Sequence, residues 1–251
     1  MIHFVGAGSG AIDLITVRGQ RLIEEADVVI YAGSLVNAEL LKFAKDNCKI
    51  FNSAYMTLPE VINEMEKAEK DGLVTVRLHT GDPCLYGAIK EQIDILKEKN
   101  IAFDICPGVS SFNAAAASLG IEYTLPDVSQ SVIITRAEGR TSVPSGEQLS
   151  SLASHQSTMI LFLSSGLAKK VQDELIEGGY SPETPAAVVY KASWPDEKII
   201  RTTLSALSDD MEKENITKTA LIIVGDVLGG SYSLSKLYDE NFTTEYRKGK
   251  Q

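Results

Sequence analysis

The sequence predicts an α/β protein made of two domains, in each of which strands alternate with helices. Segment 73–78 is a short run of aliphatic and β-branched residues, as expected of a buried strand. Segment 58–70 has apolar residues at helical spacing with charges between them, as expected of an amphipathic helix. The alternation starts again after a break in the pattern near 120–129. We therefore predict an N-terminal α/β domain over 1–122 and a C-terminal α/β domain over 123–251.

The predicted strands and helices follow one another along nearly the whole chain. In the first half, strands are predicted at 2–5, 27–31, 49–52, 73–78 and 102–105, and helices at 16–26, 35–45, 58–70, 88–99 and 112–119. In the second half, strands are predicted at 131–134, 158–163, 186–190, 198–202 and 220–224, and helices at 148–154, 167–177 and 204–213. Thr16 stands where its hydroxyl would cap the first helix. A polar tail follows from Leu234.

The composition is that of a globular protein, and it narrows the range of partners. Of the 251 residues, 44% are hydrophobic and 23% are charged. The formal net charge of −10 argues against nucleic acid or an anionic membrane as a partner, and an acidic ligand would need a local cationic pocket. No apolar run approaches the roughly 20 residues that cross a bilayer, and Met1 leads directly into a strand without a basic leader. We therefore expect a cytoplasmic protein.

The cysteines and histidines indicate neither a disulfide framework nor a metal centre. Cys48, Cys84 and Cys106 are odd in number, scattered, and form no Cys-x-x-Cys pair. The three histidines are isolated from one another. His79 is interpreted as a histidine beside the core rather than a catalyst, because nothing pairs with it in sequence. We therefore expect no metal ligand set.

A Gly-Asp-Pro turn at 81–83 is the most informative segment of the chain. It lies where the predicted strand 73–78 passes to a helix, at the carboxyl edge of an α/β sheet, where ligands usually bind. Gly81 allows close approach of a ligand to the main chain, and Pro83 holds Asp82 extended. Asp82 therefore either caps the following turn or offers its carboxylate to a hydroxyl or amine of a ligand.

The glycine-rich loop at 6–10 imitates a dinucleotide-binding fingerprint, but the match is incomplete. The following helix is predicted to begin only at Thr16, several residues late. A nicotinamide enzyme usually carries an acidic residue at the end of the second strand, where Tyr31 and Ala32 stand here. Nucleotide binding therefore remains an alternative with weak support.

Two further loops carry candidate ligand groups. Segment 107–111 contains serines at another junction between a strand and a helix, where they either cap the helix or bind a polar ligand group. Segment 135–141 is too polar to be core. In it, Arg136 and Arg140 either pair with carboxylates of a substrate or form an exposed ion pair with Glu138.

Taken together, these segments resemble the tetrapyrrole methyltransferases, a family that uses S-adenosylmethionine. The motifs that carry the resemblance cover nearly the whole chain and lie at 5–10, 14–16, 81–87, 107–111 and 221–226. Further segments, at 31–36, 85–92 and 135–141, resemble a subgroup of that family. Its members methylate C-11 of precorrin-4 or cobalt-precorrin-4 in cobalamin biosynthesis.

The resemblance implies two α/β domains with the active site in the cleft between them, and a homodimer. It also implies S-adenosyl-L-methionine as methyl donor, S-adenosyl-L-homocysteine as product and a small-molecule tetrapyrrole as acceptor. By position, the cofactor contacts carried over are Ser9, Gly81, Asp82, Leu85, Ser110, Ser111, Ser165 and Ala192. The chain departs from the family at Ser9, where proline is frequent, at Ala11, where aspartate is frequent, and at Ser165, where many relatives carry methionine.

Methyl transfer from a sulfonium needs mainly the alignment of the acceptor carbon, the methyl group and the sulfur. We therefore expect no protein nucleophile and no metal. Asp82 is expected to act on the polar groups of the cofactor through fixed hydrogen bonds. If the macrocycle must lose a proton, Glu138 or Glu91 is the candidate base.

The predicted substrate contacts are Arg136, Arg140, Tyr31, Ser34 and Tyr86. The two tyrosines either stack on the macrocycle or pack within the protein, and Arg77 is either a third cationic contact or structural. Two other functions remain open. One is methylation of another precorrin carbon or of uroporphyrinogen. The other is a non-catalytic nucleotide-binding protein that uses the loop at 6–10.

Overall fold

A computed structural model of the chain describes residues 1–33 and 35–250. Ser34, one of the predicted substrate contacts, lies outside the described residues. The chain divides into two compact units. The first contains residues 1–118 and 191–197, and the second contains residues 119–190 and those from 198 onward. The short segment 191–197 thus belongs with the first unit although its neighbours in the chain belong to the second, which the sequence did not predict.

The first unit is built on a parallel sheet within the described residues. Its strands are β1 (Ile2–Gly6), β2 (Val28–Tyr31), β3 (Lys49–Asn52), β4 (Thr75–His79) and β5 (Phe103–Cys106). They lie in the order β3-β2-β4-β1-β5, and every neighbouring pair is parallel. Because parallel strands end at the same edge, the segments that follow β1, β4 and β5 are brought to one side of this sheet.

Helices cover both faces of this sheet. They are α1 (Val17–Glu25), α2 (Leu58–Lys70), α3 (Lys90–Glu98) and α4 (Ser111–Leu119). One face packs Ile2 and Phe4 against α2 and α3, and the other packs Val5 and Val76 with Ile23 of α1. A sheet buried on both faces explains why its strands are nearly continuous apolar runs in the sequence.

The N-cap of α1 is the one predicted from the sequence, whereas the helix predicted at 35–45 is replaced by a shorter 3₁₀ turn. The Thr16 hydroxyl accepts a hydrogen bond from the Gly19 amide at 3.0 Å, so the predicted N-cap is confirmed. Residues Ala38–Phe43 form a 3₁₀ turn instead of an α-helix. The Asn37 side chain caps this turn, and the Ala44 amide bonds to the Leu41 carbonyl three residues back. Hydrogen bonds to the carbonyl three residues back form a tighter helix, which is stable only over short runs.

The second unit is built on a mixed sheet. Its described strands are β6 (Val132–Arg136), β7 (Thr158–Phe162), β8 (Pro185–Tyr190), β9 (Lys198–Thr203) and β10 (Ala220–Val224). They lie in the order β6-β7-β10-β8-β9; only β6 and β7 pair in parallel, and the other neighbours are antiparallel. The connection 191–197 between β8 and β9 is shorter than the dozen or more residues that a parallel crossover needs, so this pair is antiparallel.

Helices also complete the second unit. They are α5 (Leu149–Ala153), α6 (Ala168–Glu177) and α7 (Leu207–Lys213). Their apolar side chains, including Leu149, Val171 and Leu207, pack with Leu161 and Ile222 of the sheet into one core cluster. The predicted α/β fold with two sheets is therefore confirmed. No helix in the described part of the chain has the length and apolar character needed to span a membrane.

Candidate functional site

Three loops of the first unit meet where β1, β4 and β5 end. We call residues 6–10, 81–87 and 107–111 the three-loop cluster. A Cβ added to Gly6 would lie 2.5 Å from the Gly108 Cα, and one added to Gly108 would lie 2.2 Å from the Gly81 carbonyl oxygen. Gly8 and Gly81 also exchange main-chain hydrogen bonds of 3.3 and 2.8 Å. Glycine is therefore required at the centre of this cluster because the three main chains approach too closely for a side chain.

Asp82 links two of these loops. Its Oδ1 accepts a hydrogen bond from the Cys84 amide at 2.8 Å, and its Oδ2 accepts one from the Gly108 amide at 2.9 Å. Of the two roles that the sequence left open, the structure shows capping of the turn and adds a brace to the neighbouring loop. Each carboxylate oxygen has a further lone pair, so Asp82 can still accept from a ligand.

Cys84 lies beside this carboxylate but is poorly suited to nucleophilic chemistry. Partial burial raises the pKa of the Cys84 thiol, and the negative charge of Asp82 raises it further. The side chain is exposed, yet at neutral pH it stays a thiol rather than a thiolate. The structure therefore gives no support to thiolate catalysis at this position.

The loop from Cys84 to Ile89 contains residues in unusual backbone conformations. Tyr86 and Ala88 have positive φ angles of 56° and 51°, which residues with a Cβ rarely adopt. A Cβ on Gly87 would lie 2.1 Å from the Pro83 carbonyl oxygen. Such strain persists only where surrounding contacts impose it.

Gln92, which is itself held by Arg77, makes one of the contacts that impose the conformation of this loop. The Gln92 side-chain amide donates to the Ala88 carbonyl at 3.1 Å, and its oxygen accepts from Nε of Arg77 at 3.1 Å. Arg77 also donates from Nη1 to the Ile30 carbonyl at 3.1 Å and is only 6% exposed. Burial lowers the pKa of Arg77 to about 10, so the guanidinium remains charged at neutral pH. The structural alternative for Arg77 is therefore the one that the geometry supports.

His79 ends β4 and faces the core. Its ring stacks on that of Phe4 with the ring centroids 6.1 Å apart, and it is 4% exposed. Burial and the nearby charge of Arg77 lower the pKa of His79 to about 3, so the imidazole is neutral. Its Nε2 has no hydrogen-bond partner among the described residues. This environment agrees with the interpretation of His79 as a histidine beside the core.

The remaining predicted cofactor contacts of the Gly-Asp-Pro and serine loops lie in the same cluster. The Leu85 amide bonds to the Asp82 carbonyl at 3.3 Å. A Cβ on Gly81 would meet the Ser110 Cα at an ordinary 3.5 Å, so these two residues are neighbours. Ser110 is buried, and α4 begins at Ser111. The structure thus brings Gly81, Asp82, Leu85, Ser110 and Ser111 together at the carboxyl edge of the parallel sheet.

The glycine-rich loop is already occupied by contacts with its own unit. The Ala7 amide donates to the carbonyl of His79, the last residue of β4, and the Gly8 amide donates to the carbonyl of Gly81. The Ala11 amide donates to Oγ of Ser193 at 3.1 Å. A Cβ on Gly10 would lie 2.1 Å from the ring of Trp194. A phosphate site of the dinucleotide type needs free main-chain amides at such a loop. The geometry therefore weighs against the nucleotide-binding alternative.

Ser9 and Ala192 are brought close by the same contacts. Oγ of Ser9 lies 2.9 Å from Oγ of Ser193, the residue after Ala192, and both Ser9 and Ala192 are buried. No pattern in the sequence predicts the part played by Ser193, because its hydrogen-bond partner Ser9 lies far away in the chain.

Of the other first-unit candidates, Tyr86 belongs to the three-loop cluster, whereas Tyr31 and Glu91 lie on other elements. Tyr31 is half-buried at the end of β2, and its carbonyl accepts a hydrogen bond from the Ser53 hydroxyl at 3.1 Å. Tyr86 is 44% exposed. Glu91 is exposed in the first turn of α3, where a negative charge favours the helix. No hydrogen bond of the structure joins Glu91 to the three-loop cluster within the described residues.

Arg136 of the second unit holds its own loop. Its guanidinium donates to the carbonyls of Ala137, Thr141 and Ser142 at 3.3, 3.1 and 2.6 Å. Neither Arg136 nor Arg140 has an ion pair within 4.0 Å among residues 1–33 and 35–250, so the exposed pair with Glu138 is not formed. Arg140 is exposed and free of any such pair in that part of the chain.

Glu138 and Ser165 also contribute main-chain and side-chain bonds within the second unit. The Glu138 carbonyl accepts from Nζ of Lys170 at 2.8 Å. The Ser165 hydroxyl donates to the Ala220 carbonyl at 2.9 Å and is 6% exposed. The side chain of Ser165 therefore ties its loop to the start of β10.

Ser164 is a further residue that the sequence did not single out. Its hydroxyl donates to the Phe162 carbonyl at 2.7 Å and accepts from the Ala137 amide at 2.8 Å. Ser164 is fully buried and so joins the loops that follow β6 and β7. The preceding Leu163 has a positive φ of 53° and is 66% exposed. The consecutive serines after a predicted strand were the only available signal.

The site chemistry is that of a binding surface rather than of a reactive group. Among residues 1–33 and 35–250, no three His, Cys, Asp or Glu side chains come together as a possible metal centre. The three-loop cluster instead offers a carboxylate, serine hydroxyls and the beginning of α4. Such groups can orient a polar ligand through hydrogen bonds.

The chain is similar to other proteins along nearly its whole length. The model of the Tetrapyrrole (Corrin/Porphyrin) Methylases matches residues 1–208. A cobalt-precorrin-4 C(11)-methyltransferase of Methanocaldococcus jannaschii is 60% identical over 248 residues, 98% of this chain and 96% of that protein. A precorrin-4 C(11)-methyltransferase of Pseudomonas aeruginosa is 43% identical over 249 residues, 99% of each chain. The X-ray structure of a cobalt-precorrin-4 methyltransferase of cobalamin biosynthesis matches with a TM-score of 0.89 and 49% identity, over 91% of this chain and 96% of that one.

Proposed function

Because this chain belongs to the tetrapyrrole methylases, we propose that it transfers a methyl group from S-adenosyl-L-methionine to C-11 of cobalt-precorrin-4 in cobalamin biosynthesis. The observation that carries the proposal is the 60% identity, over 98% of the chain, to a relative named for that reaction. The relative whose name gives precorrin-4 without cobalt is 43% identical, which favours the cobalt-containing acceptor. The second product is S-adenosyl-L-homocysteine.

The residues of the three-loop cluster fit such a methyl donor. The spare lone pairs of Asp82 suit a ribose hydroxyl or an ammonium group, and the Ser110 hydroxyl can donate or accept. The N-terminus of α4, at Ser111, favours a carboxylate. When bound, the sulfonium supplies an already electrophilic methyl group. The protein therefore has to hold the donor and the acceptor carbon in line, a contribution worth roughly 7–11 kcal/mol of the barrier.

The side chains assigned to the substrate have different parts in this proposal. Arg140 is exposed and has no ion pair within residues 1–33 and 35–250, so its guanidinium can pair with an acetate or propionate arm of the macrocycle. Arg136 acts first by shaping the loop that carries Arg140, and its remaining donors can reach the same arms. Tyr31 and Tyr86 are proposed to contact the macrocycle, and Glu138 or Glu91 is proposed as base if a proton must leave.

The family resemblance supports two further proposals about the protein as a whole. We propose that the active form is a homodimer, which light scattering after size-exclusion chromatography would show as twice the 27.2 kDa chain mass. We propose that it acts in the cytoplasm on a small-molecule tetrapyrrole without a nucleic-acid partner. A mass in solution equal to that of a single chain would overturn the homodimer proposal.

The test of the function is methyl transfer to separate acceptors. The purified protein is incubated with S-adenosylmethionine and with one of three acceptors: cobalt-precorrin-4, metal-free precorrin-4 or uroporphyrinogen III. The mass of each tetrapyrrole is then measured by mass spectrometry. We expect the mass of one methyl group to be gained fastest by cobalt-precorrin-4. Faster methylation of uroporphyrinogen, or binding of a dinucleotide in place of S-adenosylhomocysteine, would contradict the proposal.

A further inference from the structure

Segment 191–197, which we call the strap, is held in a strained conformation within the first unit. Lys191 and Ser193 have positive φ angles of 48° and 69°. A residue with a Cβ avoids this region unless its surroundings hold it there. Lys191 pairs with Asp196 at 2.6 Å inside the strap, and its Nζ lies 5.5 Å from the centre of the Trp194 ring. The strap is therefore a fixed local structure and not a simple connection.

One end of the strap is fixed to the glycine-rich loop. Oγ of Ser193 lies 2.9 Å from Oγ of Ser9 and accepts a hydrogen bond from the Ala11 amide at 3.1 Å. Nε1 of Trp194 donates to the Ser9 carbonyl at 3.2 Å. The Trp194 ring also fills the space beside Gly10 where any side chain would otherwise lie. Ser9 is thus held by hydrogen bonds of its side chain to Ser193 and of its main-chain carbonyl to Trp194.

The other end of the strap is fixed to α4. One oxygen of Glu197, Oε2, accepts from the Ser193 amide at 2.6 Å and from the Ser118 hydroxyl at 2.7 Å. Ser118 lies in the last turn of the helix that begins at Ser111. A single carboxylate therefore holds Ser193 in its strained conformation and joins it to the element that carries another predicted cofactor contact.

We infer that Ser193, Trp194 and Glu197 are positioning residues for the methyl donor. They set the distance between Ser9 and Ala192, two predicted cofactor contacts that are far apart in the chain, without any need to touch the donor themselves. The inference rests on the proposed function, because it concerns binding of S-adenosylmethionine. It goes further by assigning a role to residues that no motif of the sequence marks.

The first experiment replaces Ser193 by glycine and by alanine. Both variants remove the hydroxyl, but glycine also relieves the strain of the positive φ, so Ser193→Gly is expected to keep the melting temperature of the wild type. We expect both variants to bind S-adenosylhomocysteine roughly tenfold more weakly by titration calorimetry, the loss that one partly buried hydrogen bond predicts. In kinetics, KM for the donor should rise by the same factor, while kcat and KM for the tetrapyrrole change less than twofold.

A matched control and a coupling measurement separate positioning from general damage. Ser181 is an exposed turn serine of the second unit whose Oγ accepts from the Glu183 amide at 3.2 Å, so Ser181→Ala should bind S-adenosylhomocysteine like the wild type. If Ser193 acts through Ser9, the double variant Ser9→Ala/Ser193→Ala should bind only slightly more weakly than the weaker single variant. Additive losses would contradict action through Ser9.

Trp194 provides a signal that needs no turnover, because it is the only tryptophan of the sequence. Binding of S-adenosylhomocysteine beside Ser9 should change the fluorescence of Trp194 with the same dissociation constant that calorimetry gives. A second variant, Trp194→Phe, removes the Nε1 donor and the five-membered ring of the indole but keeps an aromatic ring, and it is also measured by calorimetry, so that the test does not depend on the folding of Ser193→Gly. Its affinity should also fall severalfold.

The outcomes distinguish this inference from the proposed function. If the wild type binds no S-adenosylhomocysteine, the proposed function fails. If the wild type binds it but Ser193→Gly and Trp194→Phe bind it equally well, the proposed function stands and the positioning role is wrong. Weaker binding by both variants with unchanged melting temperatures supports the role.

Discussion

At the scale of single residues, the site depends on polar groups whose hydrogen bonds are largely committed to the protein. Both carboxylate oxygens of Asp82 accept hydrogen bonds from main-chain amides, one from Cys84 in its own turn and one from Gly108 in the neighbouring loop. A carboxylate that braces two loops can still contact a ligand, but its first effect is on the shape of the site. We propose that such a site acts on the methyl donor mainly by aligning it with the acceptor carbon.

Replacing Asp82 by asparagine should therefore lower the stability of the protein and raise the reactivity of the neighbouring Cys84 thiol. The amide presents a donor to an amide that needs an acceptor, so we expect a loss of about 1–3 kcal/mol in the free energy of unfolding by urea. Removal of the negative charge should also lower the pKa of Cys84 toward its ordinary value. Iodoacetamide should then alkylate Cys84 faster at pH 8, as followed by peptide mass mapping. An unchanged rate together with unchanged stability would show that Asp82 does not brace the loops.

His79 gives the protein a specific dependence of stability on pH. Its pKa in the folded state, about 3, lies below the ordinary value of 6.5, so the unfolded chain takes up the proton first as the pH falls. The destabilisation is absent above pH 6.5 and grows as the pH falls from there toward 3, by at most about 1.4 kcal/mol per pH unit. Urea unfolding of His79→Leu should show a shallower loss of stability between pH 6 and pH 4 than the wild type. Identical slopes would mean that His79 is protonated in the folded protein.

At the scale of elements, the ends of three parallel strands determine the site. β1, β4 and β5 lie side by side in the sheet, so the loops after them meet although they are far apart in sequence. The close approach of Gly6, Gly81 and Gly108 leaves no room for a Cβ at the first or the last of these. A small change in one strand end must therefore move the other two.

The substitution Gly108→Ala tests this packing. Its Cβ would lie 2.2 Å from the Gly81 carbonyl oxygen, a main-chain atom that cannot rotate away. We expect a loss of about 3 kcal/mol or more in the free energy of unfolding and weaker binding of S-adenosylhomocysteine. Gly146→Ala is the matched control, because nothing lies within 4 Å of the added Cβ there, and it should behave like the wild type. Equal stability of both variants would show that the three loops are not tightly packed.

The elements also show how far the sequence could go. Strands and most helices were recognisable from periodicity, and the junctions at 81–87 and 107–111 from their glycines, prolines and polar residues. The strand order and the antiparallel pairing of the second sheet depend on contacts between distant segments, which periodicity does not reveal. The same holds for Ser193 and for the bonds of Arg136 to its own loop.

At the scale of the whole molecule, an acidic protein has to bind an anionic macrocycle. The net charge of −10 repels a substrate with several carboxylates, so local cations must overcome it. Arg140 is exposed and has no ion pair within the described ranges, whereas Arg136 is engaged with the carbonyls of Thr141 and Ser142. The structure therefore separates two arginines that the sequence treated alike.

Charge reversal at Arg140 should weaken binding of the tetrapyrrole substrate without weakening binding of the methyl donor. We expect Arg140→Glu to raise KM for cobalt-precorrin-4 by roughly tenfold or more, because a charge-assisted pair is lost and a repulsion is added. Binding of S-adenosylhomocysteine should stay within twofold of the wild type. Lys218→Glu, which makes the same charge change at another exposed position of the second unit, controls for the overall charge. A similar rise in KM for both variants would assign the effect to net charge and not to a contact.

The position of the transferred methyl group tests the central claim most directly. The protein is incubated with cobalt-precorrin-4 and S-adenosylmethionine that carries a ¹³C-labelled methyl group, and the product is examined by carbon NMR. The account predicts a single labelled methyl group, bonded to C-11 of the macrocycle. A label on a different ring carbon, or no label on the tetrapyrrole while the donor is consumed, would contradict it.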